Sequence, residues 1–189
     1  LGLKEGMIVY ILGRDREALE ETADLLDPHK KSLFSIQADV TDHLACERAI
    51  DEVITRHGRL DILINNAGMS MRGRVGETTP EVIDTMIRIN FLGSAYMTYY
   101  ALSHITRQKG SIIFTSSLVA LHGIPKVASY AAGKGALTAY TESLRAEVSS
   151  KGVHIGIIYV GFTENDPKKV IYKADGTLIP IAQRKNAHT

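Results

Sequence analysis

Tyr130 and Lys134, in the stretch SYAAGKGAL, are two residues whose types and spacing could do chemistry. On a helix, residues four positions apart lie on the same face, one turn from each other. A phenol can donate a proton to a reacting group, and a neighbouring ammonium makes it a better acid because it favours the phenolate. Tyr/Lys pairs at this spacing also occur on ordinary solvated helices, so the pair needs a context before it indicates catalysis.

Three other polar positions supply that context. The sequence NNAG at 65–68 ends one apolar stretch, and Ser117, thirteen residues before Tyr130, ends another. If both stretches are parallel strands, their carboxyl ends meet at the sheet edge where open α/β folds bind ligands. Asn90 lies between these two stretches, within the long helix predicted from Thr79. Taken singly, Ser117 also suits a strand-end turn, and Asn90 suits an ordinary polar position on a helix.

Alternating apolar patterns predict the elements that position these residues. Strands and helices follow one another at a spacing that predicts parallel pairing with right-handed crossovers, hence an α/β fold with a doubly wound parallel sheet in three layers, α/β/α. No linker or repeat divides residues 1–189, so we predict a single domain. The predicted strands cover 7–12, 32–38, 60–68, 110–117 and 153–160, and the predicted helices cover 15–26, 42–58, Thr79 to beyond Tyr100, and 129–150.

Asn90, Ser117, Tyr130 and Lys134, together with NNAG, resemble the classical short-chain dehydrogenase/reductase family, and the resemblance extends to about Asn165. It implies a Rossmann-type oxidoreductase that exchanges hydride between a nicotinamide and a small carbonyl or alcohol substrate. It also implies roles for each residue. Tyr130 would be the proton donor, Lys134 would also bond the nicotinamide ribose, Ser117 would orient the substrate oxygen, and Asn90 would hold a water that resupplies the proton.

The choice of cofactor depends on the residues that follow the first predicted strand, which are Gly13 and Arg14. Arg14 stands there and favours the 2′-phosphate of NADP(H) over NAD(H); alternatively, it begins a solvated helix. The resemblance implies that Asp39 and Val40 contact the adenine, although Asp39 equally suits the cap of the following helix. It also implies that Asn66 lies along the adenosine half, whereas Asn65 is expected to bond neighbouring strands.

The end of the last predicted strand departs from the family pattern. Val160 and Gly161 stand where the family usually has Pro-Gly, and Asn165 stands where a Thr often binds the carboxamide. Thr163 and Asn165 are therefore both candidates for that contact. The tail from Glu164 is predicted to be either a lid over the ligand edge or a loosely ordered terminus.

Two other functions remain possible from the sequence. One is a non-catalytic nucleotide-binding scaffold that works through protein contacts. The other is a nucleotide-sugar epimerase or dehydratase, which has Tyr and Lys at the same spacing; NNAG and the interval between Ser117 and Tyr130 favour the classical type. The substrate site is expected to be lined by 70–76, 118–124 and the tail, and His122 could contact the substrate or be solvated.

Composition narrows the partners and the compartment. The net charge is +1 with no block of Lys or Arg, so we expect no nucleic-acid partner, and we assign no metal site. The single cysteine, Cys46, favours a reducing compartment such as the cytoplasm, with a membrane anchor upstream left open. The long helices at 80–106 and 129–150 form the oligomer faces in the family, which predicts a homodimer or homotetramer.

The glycine-rich turn that binds the pyrophosphate in this fold has no counterpart in the sequence. LGLKEG at 1–6 is predicted to be the last turn of the helix that follows that turn, so we expect about 20 further residues, one strand and most of a helix, before Leu1. The missing strand would be the central strand of the sheet. A last helix and strand are expected beyond the C-terminus.

Overall fold

Strands and helices alternate in the computed structural model, which describes residues 2–29, 31–161 and 169–181. Each element predicted over 7–160 has a counterpart within a few residues. The strands are β1 (Val9–Gly13), β2 (Leu33–Gln37), β3 (Ile62–Asn65), β4 (Met71–Arg72), β5 (Ser111–Ser117), β6 (His154–Val160), β7 (Val170–Lys173) and β8 (Leu178–Pro180). The α-helices are α1 (Arg16–Leu26), α2 (His43–His57), α3 (Pro80–Ile87), α4 (Gly93–Gln108) and α5 (Ala128–Val148).

Local sequence signals determine where these helices begin and end. Asp15, Asp42 and Thr79 are the N-caps of α1, α2 and α3, and each side chain accepts a hydrogen bond from a backbone N–H of the first turn. Helix α2 ends at Gly58, which has the left-handed φ of 68° that glycine adopts without strain. The capping assignment also corrects one alternative, because Asp42 and not Asp39 caps α2.

Five parallel strands form two separate sheets in the described part of the chain. Strand β1 pairs with β2, and β5 lies between β3 and β6 in a second sheet. Strands β1 and β3 are each at the end of their sheet, so each has one edge without a neighbour among the described strands. All of these pairs are parallel, as the alternation of strands and helices predicts.

Helices cover the sheets from two sides. Tyr10 of β1 bonds His57 of α2, whereas Gly13, on the opposite face of the same strand, packs against Leu19 of α1. Helices α1 and α2 therefore lie on opposite faces, which gives the predicted three layers. The main core lies between the β3-β5-β6 sheet and α2, α4 and α5, and contains Ile50, Leu63, Ala101, Ile105, Ile112, Phe114, Leu137, Leu144, Val148 and Ile155.

The other face of the β3-β5-β6 sheet is only thinly covered. Ile62 and Ile64 of β3 are 41% and 63% exposed, and Ile158 of β6 is 55% exposed. Leu63, which points the other way from β3, is buried in the main core. The contrast follows strand alternation and shows that only one side of this sheet is packed by the described residues.

A small third sheet contains elements that the sequence analysis missed. Strand β4 pairs in parallel with β7, and β7 forms an antiparallel hairpin with β8. The tail was predicted as a lid or a loose terminus, whereas 169–181 are a defined hairpin. The turn carries Asp175 and Gly176, and the Asp175 carboxylate accepts bonds from the Thr177 backbone N–H and hydroxyl at 2.9 and 2.7 Å.

Across the described part of the chain, no helix combines the length and the apolar character that crossing a bilayer requires.

Candidate active site

Helix α5 presents Tyr130 and Lys134 one turn apart, near its N-terminus. The helix can approach α3 closely at Gly133, because a Cβ there would lie 3.1 Å from the Met86 carbonyl oxygen and 3.0 Å from Asn90 Cβ. A larger residue at this position would push α5 away from the helix that carries Asn90. The glycine in the AAGKG stretch thus fixes the distance between two predicted site residues.

Lys134 is buried, with 3% of its surface exposed. Its ammonium donates a hydrogen bond of 2.8 Å to the carbonyl oxygen of Thr115 in β5, and its own carbonyl accepts one of 3.1 Å from the Ser116 hydroxyl. Burial lowers the pKa of Lys134 from 10.5 to about 8, and the nearby charge of Lys169 contributes in the same direction. The ammonium is therefore held in a fixed place and is close to its titration point at neutral pH.

Asn90 lies in a π-helical turn, Arg88–Leu92, between α3 and α4. Its side chain is fully buried and bonds the loop after β3: the amide donates to the Met69 carbonyl at 2.9 Å, and the amide oxygen accepts from the Met69 N–H at 3.2 Å. The amide also donates to the Met86 carbonyl at 3.0 Å. A π-turn inserts one residue into a helix and often occurs at functional sites, where it redirects a side chain.

Gly68 of the NNAG sequence lies between Asn90 and Lys134. A Cβ at Gly68 would be 3.0 Å from Asn90 Oδ1 and 3.0 Å from Lys134 Nζ, so those two atoms are at most about 6 Å apart. The absence of a side chain leaves the ammonium accessible beside the backbone at the end of β3. The structure thus brings together the ends of β3 and β5, α5 and Asn90, and it places Asn90 in a π-turn and not in the continuous helix that the sequence predicts.

Ser117 is the last residue of β5 and lies opposite Val160 of β6. Its hydroxyl oxygen accepts a bond from the Val119 N–H at 3.5 Å, so it also has the strand-end role that the sequence left open. A single long bond of this kind leaves the hydroxyl proton available to another acceptor.

Tyr130 is half-buried at the edge of a small apolar cluster. It packs against the buried cluster of Met71, Val82 and Met86, which Tyr172 of β7 also joins. Among the described residues, the Tyr130 hydroxyl makes no hydrogen bond. The ring is therefore held by packing while its hydroxyl remains free to act on a ligand.

The residues predicted to bind the nucleotide are at the ends of β1 and β2, and they are more exposed. Arg14 lies 3.8 Å from the Asp39 carboxylate, with 57% and 39% of the two side chains exposed, and it donates to the Met69 sulfur at 3.7 Å. Asp39 also accepts bonds from the N–H and hydroxyl of Thr41, both at 2.8 Å. Val40 contacts Gly93 at the start of α4, where a Cβ would collide with it.

Comparisons with known proteins identify relatives of the chain. The family model described as short chain dehydrogenase matches residues 2–175. The chain is 32% identical over 167 residues to the versicolorin reductase stcU of Emericella nidulans, covering 88% of this chain and 63% of that protein. It belongs to the short-chain dehydrogenase family.

Solved structures of the family support the same fold. The structure titled "ElxO with NADP Bound" has 31% identity and a TM-score of 0.80, covering 85% of this chain and 65% of that one. An NAD+-bound xylitol dehydrogenase has 26% identity and the same TM-score, covering 85% and 62%. The chain spans from 48% to 63% of the length of the curated family members it matches.

The structure corrects some of the predictions for individual residues, and other predictions concern residues that it does not describe. Asn65 is structural, but its amide donates to the Thr98 hydroxyl of α4 at 3.1 Å and not to a neighbouring strand. Arg14 precedes α1, which begins at Arg16, and it lies 3.8 Å from the Asp39 carboxylate. Asn66 is exposed at the end of β3. Thr163 and Asn165 lie outside the described residues.

Sequence reasoning missed the residues that the β7-β8 hairpin brings to the site, notably Tyr172 and Lys169. The signal was present in KVIYKADGTLIPI, where two apolar β-branched runs flank an Asp-Gly turn. It also missed the Thr115 carbonyl, because a backbone acceptor has no residue type that a sequence pattern could reveal.

The site fits the nicotinamide dinucleotide that the family implies. The Gly68 backbone is open on the side of the Lys134 ammonium, which is a donor suited to a ribose hydroxyl, and a Cβ would close that space. Asn66, Ala67 and Gly68 are all exposed along the end of β3. Arg14 offers a cation at the far end of the same edge.

Proposed function

We propose that the protein is an NADP(H)-dependent oxidoreductase that reduces a ketone or aldehyde to an alcohol, or performs the reverse reaction. The observation that carries the proposal is the buried Lys134 ammonium, fixed by the Thr115 carbonyl one turn from the free hydroxyl of Tyr130. A scaffold that only binds nucleotide could use the Lys134 ammonium, but it has no use for a proton donor one helical turn away.

The protein's own residues divide the proton chemistry among them. A nicotinamide supplies the hydride when it is bound. Tyr130 gives its proton to the substrate oxygen, and the Lys134 ammonium stabilises the phenolate that remains. Ser117 donates a hydrogen bond to the same oxygen and orients it. Asn90 holds a water near Lys134, through which a proton returns to Tyr130; in the alcohol-oxidising direction the proton moves the other way.

NADP(H) is favoured over NAD(H) because of Arg14. Its guanidinium is exposed and is held between Asp39 and the Met69 sulfur by two long contacts, both of which a 2′-phosphate could replace. Asp39 and Val40 would contact the adenine, Asn66 the adenosine half, and Thr163 the carboxamide. Relatives of known structure include one with NADP and one with NAD+ bound, so the assignment to this chain depends on Arg14.

The proposal includes a strand between β1 and β3. Each of these strands has an edge that no described strand pairs, and the exposed Ile62 and Ile64 lie beside that gap on an uncovered face. A strand, phosphate-binding turn and helix placed there would complete a single sheet. We expect NADPH fluorescence titration to detect binding when these elements are present and none with residues 1–189 alone; equal binding by both would contradict this part of the proposal.

A second copy of the chain is proposed to cover α4 and α5. Tyr99 is 75% exposed and lines a groove between α4 and α5. Its ring meets that of Tyr100 edge to face. An exposed aromatic groove of this kind is typical of an oligomer face. Sedimentation velocity should give a dimer or tetramer, and Tyr99→Glu should shift it toward monomer; a wild-type monomer would contradict the proposal. The groove is lined by Thr98, Tyr99, Leu102, Ser103, Thr106, Tyr140, Ser143, Leu144, Glu147 and Lys151.

Replacing Tyr130 with Phe tests the catalytic proposal. Consumption of NADPH should accompany alcohol formation with at least one member of a panel of ketones and aldehydes. Tyr130→Phe should lower kcat/KM about 10³-fold, because the proton donor is lost, and leave the Kd for NADPH unchanged. Tyr10→Phe, which removes a phenol hydroxyl bonded to His57 of α2, is the matched control. If wild type and Tyr130→Phe both bind NADPH and neither reduces any carbonyl, the scaffold function replaces the enzyme.

A further inference from the structure

The ring of Tyr130 is held by packing, so the residues behind it determine where the proton donor lies. The ring packs against Met71, Val82 and Met86, which are 1%, 2% and 0% exposed. Val82 and Met86 lie one turn apart on α3, a helix with its own cap. Met71 instead belongs to β4, a strand of two residues, which needs neighbouring elements to hold it in place.

The β7-β8 hairpin supplies that support to β4. Met71 lies directly opposite Tyr172 of β7 in a parallel pair, and the Tyr172 N–H donates to the Ser70 carbonyl at 3.1 Å. Residues opposite each other in paired strands point to the same face of the sheet. The Tyr172 ring accordingly packs against the same buried cluster as Tyr130. Tyr172 therefore supports, from the hairpin side, the cluster that fixes the Tyr130 ring.

The hairpin is itself fixed to the rest of the protein near its turn. The Ala174 carbonyl accepts a bond of 3.0 Å from the N–H of Thr79, the N-cap of α3. Gly73 leaves no room for a side chain, because a Cβ there would be 2.5 Å from the Cβ of Ala174. The Cβ position of Gly176 is 3.7 Å from a methyl group of Val82. The hairpin cannot move away from β4 and α3 without losing these contacts.

The segment after β4 also holds the start of the helix that carries Tyr130. The Gly73 N–H donates to the Lys126 carbonyl at 2.9 Å. Lys126 has a φ of 70°, a left-handed conformation that is unfavourable for a residue other than glycine and needs contacts that maintain it. Val127, the N-cap of α5, makes no side-chain cap bond. The first turn of α5 is therefore held from β4 and not by a capping side chain of its own.

We propose that Tyr172 is a positioning residue for the proton donor: with Met71, it fixes the Tyr130 ring within reach of the substrate oxygen. The inference rests on the proposed reductase function and adds a residue that acts only through Tyr130. Proton transfer needs the donor within hydrogen-bond reach, and a misplacement of about 1 Å can cost about 10²-fold in rate. The other role open to the Tyr172 ring is direct contact with the substrate, and the test separates the two.

The first test measures kcat and KM of the full-length protein separately, with a carbonyl compound that wild type reduces. Tyr172→Ala should lower kcat about 10²-fold while changing KM by less than about twofold, because the donor moves and the binding surfaces remain. The Kd for NADPH should not change. Tyr172→Phe keeps the ring and should retain the kcat of wild type.

Tyr10→Ala is the matched control for loss of a half-buried tyrosine ring, since Tyr10 stacks on Phe34 far along the chain from the hairpin. It should lower the melting temperature without lowering kcat. An unchanged kcat in Tyr172→Ala would overturn the inference. A rise in KM with that unchanged kcat would assign the Tyr172 ring to substrate contact.

A double-mutant cycle tests whether Tyr172 acts through Tyr130. In Tyr130→Phe the proton donor is absent, so the addition of Tyr172→Ala should lower the residual kcat no further. An equal fall in kcat in the wild-type and Tyr130→Phe backgrounds would show that Tyr172 acts by another route, and would overturn the inference.

Gly73→Ala tests the same support with Tyr172 intact, which covers the case that Tyr172→Ala does not fold. The added methyl would collide with Ala174 and displace the hairpin, so kcat should fall, and Ala174→Gly in the same chain should restore part of it. A wild-type kcat in Gly73→Ala would contradict the inference and leave the reductase intact. A wild type that reduces no carbonyl would overturn the proposed function together with the inference.

Discussion

The two halves of the ligand edge are built differently. In the catalytic half, at the ends of β3 and β5, Lys134 and Asn90 are almost fully buried and bonded to backbone groups. In the nucleotide half, at the ends of β1 and β2, Arg14 and Asp39 are 57% and 39% exposed and are joined by a single contact of 3.8 Å. The first half is held by the core, whereas the second is held mainly by solvent-exposed side chains.

This difference shows which side chains are fixed in place by packing in the core and which are not. Proton transfer needs donor and acceptor within hydrogen-bond reach, so the catalytic half requires packing that fixes atoms in place. Selection between two cofactors needs only a charge near a phosphate, which an exposed arginine can supply. We therefore expect substitutions in the catalytic half to change activity and folding together, and substitutions in the nucleotide half to change cofactor affinity alone.

The largest expected effect is that of Lys134→Met. We expect kcat/KM to fall about 10³-fold while the free energy of unfolding at pH 7 rises by about 1–2 kcal/mol. A pKa lowered from 10.5 to about 8 corresponds to a cost of about 3 kcal/mol for keeping the buried group charged. Loss of the bond to the Thr115 carbonyl offsets part of that gain. Thermal and urea unfolding, with exposed Lys31→Met as the control, measure the change.

The pH dependence of this stability difference has a definite sign. Between pH 8 and 10.5 the unfolded chain keeps a proton on Lys134 that the folded protein has lost, so the stability of wild type rises with pH relative to Lys134→Met. The amount by which Lys134→Met is more stable than wild type should therefore decrease between pH 8 and 10.5. A variant that is less stable than wild type at pH 7 would show that the buried ammonium contributes to folding and would weaken the contrast between the halves.

The effect expected for Asn90→Ala is on stability, and it is smaller than the loss of activity expected for Lys134→Met. The substitution leaves the N–H and carbonyl of Met69 and the carbonyl of Met86 without their amide partner in a buried place. We expect the free energy of unfolding to fall by about 2–4 kcal/mol, measured by urea denaturation. Asn66→Ala, at an exposed asparagine of the same edge, should change it by less than about 0.5 kcal/mol. Similar losses of unfolding free energy in Asn90→Ala and Asn66→Ala would mean that burial does not determine how much these asparagines contribute to stability.

The smallest effect is expected for Arg14→Ala, in the nucleotide half. We expect the KM for NADPH to rise about tenfold and the KM for NADH to remain unchanged, because only NADPH carries the phosphate that Arg14 is proposed to bind. Melting temperature should not change. Arg16→Ala, which removes an arginine paired with Glu20 on the exposed face of α1, is the control. Equal changes for both cofactors would contradict the assigned NADP(H) preference.

The positions of Tyr130, Lys134 and Ser117 in the fold could be predicted from the sequence because their signals are local. The spacing of Tyr130 and Lys134 on one helix, and the position of Ser117 at a strand end, need no knowledge of distant contacts. The alternation of apolar runs likewise predicted parallel strands, and the pairs of β1 with β2 and of β5 with β3 and β6 are parallel. These parts of the fold follow from periodicity and helix caps.

Contacts between distant parts of the chain could not be predicted in this way. The bonds from Asn90 to Met69 depend on a π-turn that shifts the helix by one residue, and such a turn has no clear sequence pattern. The pairing of Arg14 with Asp39 depends on side-chain placement across two strand ends. The β7-β8 hairpin had a readable Asp-Gly turn, but its docking beside Tyr130 depends on the tertiary fit of Gly73 against Ala174.

A double-mutant cycle on Tyr130 and Lys134 tests the central claim most directly. The measurement is kcat/KM for NADPH-dependent carbonyl reduction by wild type, Tyr130→Phe, Lys134→Met and the double variant. If the two residues act as one proton-delivering unit, the double variant should be no slower than the slower single variant. If the two losses multiply, each residue acts independently, and the account of a buried ammonium that serves Tyr130 is contradicted.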